Sequence, residues 1–363
     1  MRYSKHKTPL VGILANPASG RDVRRLVAMA SVFPNTEKSN MVLRILSALG
    51  SVGVPEVIMM PDRGGIASRV WHTLKHRPAG YFAGSPEIHF LDMPIEDSAV
   101  DTIRAIGRMV ELGVSVIIVM GGDGTHRLVA KVCGETPLVA LSTGTNNVFP
   151  EIREATIAGL AAGLVAMDKV RVSDVSSRNK LLRVDMNGSG KDLALVDLCI
   201  SSECWIGARA LWQTSCCREL FVTFAQPHAI GLSAIAGLLH PVDRWAPYGL
   251  RLVLAPPGEG MITIHAPIAP GLIAPVGVAD VKEICQKEIW NLETSTGTIA
   301  LDGEREIEFN VSDRPKVWLE MDGPITIDIN RVMKNAAENH NFVETRSTNL
   351  SSDPDFKEEF MKT

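Results

Sequence analysis

The sequence predicts an α/β plus β protein: an N-terminal, mostly parallel, three-layer α/β domain, then a C-terminal β-rich domain, antiparallel and sandwich-like. Three observations carry this. Strand-like and helix-like stretches alternate from Leu10 to Leu141, the pattern of a parallel sheet with helices on both faces. Val114 to Met120 is a continuous apolar run rich in β-branched residues and bounded by glycines, as a strand buried on both sides requires. After Met167 the texture changes to short strands separated by Pro and Gly turns, which reads as an antiparallel region.

The elements follow in order. Leu10 to Ala15 is a short apolar strand, Asn16 to Gly20 a turn, and Asp22 to Ala30 a helix; Arg21, Arg24 and Arg25 lie just beyond the turn, where one could neutralise phosphate charge, with a solvated face the default reading. Glu37 to Leu49 has Met41, Val42, Ile45, Leu46 and Leu49 on one side, at helical spacing. Glu56 to Met60 is a strand, Asp62 to Gly65 a turn, and Ile66 to Leu74 a helix. Glu87 to Leu91 is a strand, and Ser98 to Leu112 an amphipathic helix capped by Asp97 or Ser98. Pro137 to Leu141 is a strand, and Ser142 to Pro150 a polar, glycine-containing loop before a helix over Glu151 to Met167.

Beyond it, Val170 to Asp174, Leu181 to Met186 and Leu193 to Ser201 read as strands, and Glu203 to Leu239 as two helical stretches. Short strands resume from Tyr248 to Met321, then Ile325 to Ile329 and a helix from Asn330 to Glu338. The expected domains are residues 1–150, completed by 325–344, and residues 151–324. The polar tail 345–363 reads as disordered.

Composition narrows the function. A chain of 363 residues with 45% hydrophobic and 21% charged residues suits a soluble protein of two domains. A net charge of −4 argues against a nucleic-acid partner, whose binding face would be basic. No apolar stretch is long enough to span a membrane, and the N-terminus has no secretory pattern, so a cytoplasmic location is expected. The 6 cysteines form no CxxC pair, and the 9 histidines form no metal-binding pattern.

The chemistry centres on Gly121-Gly122-Asp123-Gly124-Thr125. A glycine turn between a buried strand and a helix N-terminus presents free N–H groups and the positive end of the helix dipole, a natural seat for phosphate. Asp123 would repel a bare phosphate, and makes sense if it holds Mg²⁺ or takes a proton from an attacking hydroxyl. The dinucleotide pattern G-x-G-x-x-G fails because Arg127 stands where the third glycine belongs, and no G-x-x-x-x-G-K-[ST] occurs. In the first turn, Asn16, Ser19 and Gly20 can donate through amide, hydroxyl and backbone. Thr143, Thr145, Asn146 and Asn147 open on the same sheet edge if the two central strands are parallel neighbours. His126 lies in the first turn of the central helix, where it meets a phosphate or acceptor, or is merely exposed.

These residues resemble the signature of the superfamily that holds NAD kinases, diacylglycerol kinases and sphingosine kinases. Besides the glycine turn, Asn16-Pro17-Ala18-Ser19-Gly20 is similar to the NPxSG loop of the lipid kinases. Gly144-Thr145-Asn146-Asn147 is similar to their GTGND segment, and Asp302-Gly303-Glu304 to their DGE. Taken alone, the last is a hairpin turn. Within that superfamily the chain resembles the AcoX-type branch, the ATP-NAD-kinase-like proteins associated with acetoin catabolism. Asn147 departs from the pattern, standing where the lipid kinases carry an acid.

The resemblance implies an ATP- and Mg²⁺-dependent kinase acting on a hydroxyl, with NAD or another small molecule as acceptor. The alternatives are a lipid kinase and a catalytically silent nucleotide-binding accessory protein. It implies nucleotide contacts at Asn16, Pro17, Ser19, Gly20, Gly121, Gly122, Gly124, Thr125, Gly144, Thr145 and Asn146. Asn147 and His126 would meet the acceptor. Asp123 and Glu304 would be the catalytic and metal-binding carboxylates. A homo-oligomer is also implied.

Overall fold

The computed structural model describes residues 8–20, 33–76, 84–144, 147–187, 190–206, 211 and 213–343. The strands are β1 (Leu10–Ala15), β2 (Glu56–Met59), β3 (Glu87–Phe90), β4 (Val116–Gly121), β5 (Leu138–Ser142), β6 (Ser176–Arg178), β7 (Leu181–Asp185), β8 (Lys191–Ala194) and β9 (Asp197–Ser201). They continue with β10 (Cys217–Val222), β11 (Tyr248–Ala255), β12 (Ile262–Ala269), β13 (Leu272–Cys285), β14 (Trp290–Asn291), β15 (Gly297–Leu301), β16 (Glu304–Phe309), β17 (Lys316–Glu320) and β18 (Ile325–Ile327). The helices are α1 (Asn35–Ser51), α2 (Ile66–His76), α3 (Ala99–Glu111), α4 (Asp123–Ala130), α5 (Ala155–Ala166), α6 (Val172–Val175), α7 (Ser233–Leu239) and α8 (Ile329–Glu338).

The first sheet has the order β3-β2-β1-β4-β5-β18-β6. All its neighbours pair parallel except β18 and β6, which are antiparallel. Strand side chains alternate between faces, so each central strand feeds two cores. Val116, Ile118 and Met120 join the core under α1, α2, α5 and α8. Ile117 and Val119 join the core under α3 and α4. Helices on both faces make three layers. In α5, glycine lets the backbone approach α1: a Cβ on Gly159 would lie 2.9 Å from Ile45 O, and one on Gly163 2.3 Å from Val52 Cγ2.

The remaining strands form an antiparallel sandwich. A seven-stranded sheet, β12-β13-β11-β10-β9-β15-β16, faces a four-stranded sheet, β14-β17-β7-β8. Leu182, Val184, Val317 and Leu319 of the smaller sheet meet Leu198, Ile200, Phe221 and Leu301 of the larger between them. Helix α7 covers the other face of the larger sheet through Ile235 and Ala236.

Several local expectations change. Val172–Val175 is a helical turn, not a strand. Cys217–Val222, expected to be helical, is a strand inside the larger sheet, because Leu220 and Val222 alternate into its core. The 14-residue β13 escapes the pattern because Pro275 and Gly277 interrupt its alternation. Expected at the head of the second domain, α5 packs instead in the first core, and the first sheet takes the chain through Arg178. The helix expected over Asp22 to Ala30 and the tail 345–363 lie outside the described residues.

Candidate functional site

In the order β3-β2-β1-β4-β5, chain direction across the sheet reverses between β1 and β4, and ligands of open α/β sheets bind outside the strand ends at such a point. Ala15 pairs with Met120, and Asn16 N–H extends that ladder to Met120 O at 2.9 Å. The two polar turns therefore leave the sheet side by side. Asn16 Nδ2 donates to Thr125 Oγ1 at 2.8 Å and ties them together. Ser19 Oγ lies 2.9 Å from Thr143 Oγ1, bringing in the segment after β5.

Beneath the first turn lies Lys38, fully buried on α1. Its Nζ donates to Asn16 O at 3.0 Å, Pro17 O at 3.4 Å and Ser19 O at 2.8 Å. Lys38 falls on the same helical face as Met41, Val42, Ile45 and Leu49, so its periodicity marks a buried position, but the local sequence does not show which groups it meets.

Gly122 caps α4 and offers no side-chain acceptor to its first turn. Asp123 N–H donates to Asn147 Oδ1 at 3.3 Å, and Asn147 Nδ2 donates to Ser142 Oγ at 2.6 Å. Asn147 also packs on both glycine turns: a Cβ on Gly122 would lie 2.9 Å from its Oδ1, and one on Gly144 2.7 Å from its Nδ2. The Asp123 carboxylate accepts from Val148 N (3.2 and 3.1 Å) and Phe149 N (2.9 Å). From the other side, Arg244 Nη1 donates to Phe149 O at 2.9 Å and its Nε to Asn179 Oδ1 at 2.8 Å. The guanidinium stands 4.3 Å from the Phe149 ring centroid. Burial pulls Arg244 down to about 10, opposed by the charges of Glu151 and Asp123. The loop after β5 is thus held between the two halves of the chain.

His126 is turned inward, away from any acceptor. It is fully buried, its Nδ1 lies 2.9 Å from Gly122 O, and its ring sits 5.7 Å from that of Phe149. Burial pushes it down to about 4. The Asp62 carboxylate, in the turn after β2, caps α2 by accepting from Ile66 N and Ala67 N at 3.1 and 2.7 Å.

The larger β-sheet contributes the opposite wall. Asp302 and Gly303 both have positive φ, 51° and 79°, and form the two-residue turn between β15 and β16. The Asp302 carboxylate faces backward and accepts from Leu195 N, Val196 N and Asp197 N at 3.0, 2.8 and 3.3 Å. Burial raises it to about 6, against the pull of Arg127 and these amides. Glu304 instead reaches the glycine turn: a Cβ on Gly124 would lie 3.7 Å from its Oε1.

A cleft of about 1030 Å³ joins these parts. Its walls include Asn16, Pro17, Ser19, Gly20, Gly122, Asp123, Gly124, Thr125, Gly144, Asn147 and Glu304, together with Arg127, Lys131 and Glu306, which sequence reasoning missed. Gly121 lies just behind the wall, where a Cβ would strike Thr125 Cβ at 2.5 Å. Thr145 and Asn146 lie outside the described residues. Among the described residues, no three His, Cys, Asp or Glu side chains gather to hold a metal by themselves. Mg²⁺ at a nucleotide needs only one or two carboxylates beside the phosphates and water, and Asp123 and Glu304 fit that need. No described helix is long and apolar enough to cross a membrane.

Each half of the chain is similar to a known family. Residues 11–170 match the ATP-NAD kinase N-terminal domain, and residues 180–322 match the acetoin catabolism protein X C-terminal domain. Acetoin catabolism protein X of Cupriavidus necator is 46% identical over 336 residues, which cover 92% of this chain and 93% of that one.

Proposed function

Because this chain belongs to the acetoin catabolism protein X family, with an N-terminal domain of the ATP-NAD kinase type, we propose that it transfers a phosphoryl group from ATP to the hydroxyl of a small molecule. The observation that carries the reading is the cleft at the sheet's reversal point, where two polar turns, a helix N-terminus capped by glycine and two carboxylates converge. Phosphoryl transfer asks a protein mainly to hold donor and acceptor in line and to neutralise charge.

The turns at Asn16 to Gly20 and Gly122 to Thr125 bind the donor phosphates through amides and hydroxyls. The Asp123 carboxylate lines the cleft beside the glycine turn, where a cation or the acceptor hydroxyl would meet it. Glu304 completes that position from the far wall. Magnesium, when bound with the nucleotide, would supply the positive charge that lets this acidic pair sit beside phosphate. NAD is the acceptor the N-terminal match favours. An acetoin-pathway intermediate and a lipid are the other acceptors to try.

A second reading, nucleotide binding without transfer, draws support from the engagement of Asp123 with Val148 and Phe149. Calorimetric titration with Mg·ATP, followed by ADP-release assays on NAD, acetoin-pathway intermediates and a diacylglycerol, separates the two. Binding with ADP release on one acceptor is expected. Binding with no turnover on any of them favours the accessory role, and no binding removes both.

A further inference from the structure

Among the described residues, strand β16 is an edge strand: it pairs with β15 and with no other strand. Its first residue is Glu304, so the position of this carboxylate depends on what anchors the strand. Ala300 pairs with Arg305 and Ile299 with Ile307, so the ladder skips Glu306. A bulge of this kind re-aims a side chain and is common beside functional clefts. Here Glu306 Oε1 meets Arg127 Nη2 at 2.9 Å. Arg127 Nη1 lies 3.4 Å from Asp192 Oδ1, which Lys131 Nζ also meets at 2.7 Å. The Arg127 side chain is only 4% exposed. It stands one helical turn beyond Asp123, so the helix that presents the glycine turn also grips the strand that carries Glu304.

We propose that Arg127 is a positioning residue that acts through Glu306, fixing β16 so that the Glu304 carboxylate stays over Gly124. Its functional meaning rests on the phosphotransfer reading, since Glu304 is the carboxylate that meets the metal-complexed phosphates there. A guanidinium fork serves this task because it engages two carboxylates in two directions, whereas an ammonium is a point charge.

The test uses the full chain as wild type, Arg127→Gln, Arg127→Lys, Glu306→Gln and the Arg127→Gln/Glu306→Gln double variant. Two readouts are taken: amide hydrogen exchange across residues 304–309, and the affinity for a non-hydrolysable ATP analogue with and without Mg²⁺. Arg127→Gln and Glu306→Gln are each expected to speed exchange in that segment about fivefold or more. Each should also weaken the Mg²⁺-dependent part of the affinity about tenfold, with the double variant no worse than either single one. Arg127→Lys should fall between wild type and Arg127→Gln. A folded Arg127→Gln protein with wild-type exchange over 304–309, or losses that simply add in the double variant, overturns the proposal. If Arg127→Gln does not fold, Glu306→Gln decides by the same criteria. A wild-type chain that binds no nucleotide overturns the phosphotransfer reading, while the exchange comparison still decides whether Arg127 anchors the strand.

Discussion

Asp123 follows a glycine at the start of α4, and Asp302 precedes one at the entry to β16. Both carboxylates accept backbone N–H groups from a distant segment. Asp123 holds Val148 and Phe149, whereas Asp302 holds Leu195, Val196 and Asp197. Their positions differ. The first sits at the positive end of a helix, where a negative charge is favoured, and lines the cleft. The second sits inside a hairpin turn with three amides closed around it, and burial raises it to about 6. On the proposed phosphotransfer reading, the aspartate of the first motif would both hold the loop and serve the ligand. In the second the jobs are divided, with Asp302 holding the sheet together and Glu304 facing the cleft.

Substitution should separate them, most strongly at Asp302. Asp302→Ala leaves buried amides without an acceptor, and we expect a stability loss of about 4 kcal/mol in urea unfolding. A loss below about 1 kcal/mol would put Asp302 in the same functional class as Asp123. Asp123→Asn keeps an acceptor oxygen for Val148 and Phe149, so stability should fall by only about 1 kcal/mol. Transfer should fall about a hundredfold or more on whichever acceptor releases ADP. Turnover near that of wild type breaks the comparison from the other side. Gly303→Ala forces a Cβ into the left-handed region at φ 79° and should cost about 1 kcal/mol, with nucleotide affinity changed only through Glu304.

The finest discrimination is by pH. Asp302 is raised from 3.8 to about 6, so it binds its proton more tightly in the folded chain. Its contribution is full below pH 3.8 and is lost as pH rises through about 6. His126 is lowered from 6.5 to about 4, so its contribution is present above pH 6.5 and lost as pH falls through about 4. The two oppose each other across the same window. Asp302→Asn should therefore lose more stability than wild type on acidification from about pH 7 to about pH 4.5, which unfolding midpoints at the two pH values would reveal. Equal losses would mean that Asp302 is not the group that titrates.

Much of the first sheet was legible in the sequence because its signals are local. The alternation of Val116 to Met120 between two cores, and a glycine turn where the strand meets the helix, are written in consecutive residues. What was not legible depends on partners far along the chain. Lys38 is a charge on the apolar face of its helix with no evident partner until the Asn16–Ser19 carbonyls are seen above it. Arg127 reads as a failed glycine until Glu306, 179 residues later, is placed beside it. Arg244 reaches Phe149 across 95 residues of chain. Cys217–Val222 misleads because CRELFV contains good helix formers, and its place inside a sheet overrides them. His126 misleads in the opposite sense: a polar residue beside a phosphate-type turn suggests contact, and only packing against Phe149 shows that it faces inward.

The buried ammonium of Lys38 has a consequence for recognition. By drawing the carbonyls of Asn16, Pro17 and Ser19 beneath the turn, it keeps their negative ends away from the cleft. The turn is held in shape before anything docks, so on the phosphate-binding reading an anion would not have to order it and would lose little affinity to that step.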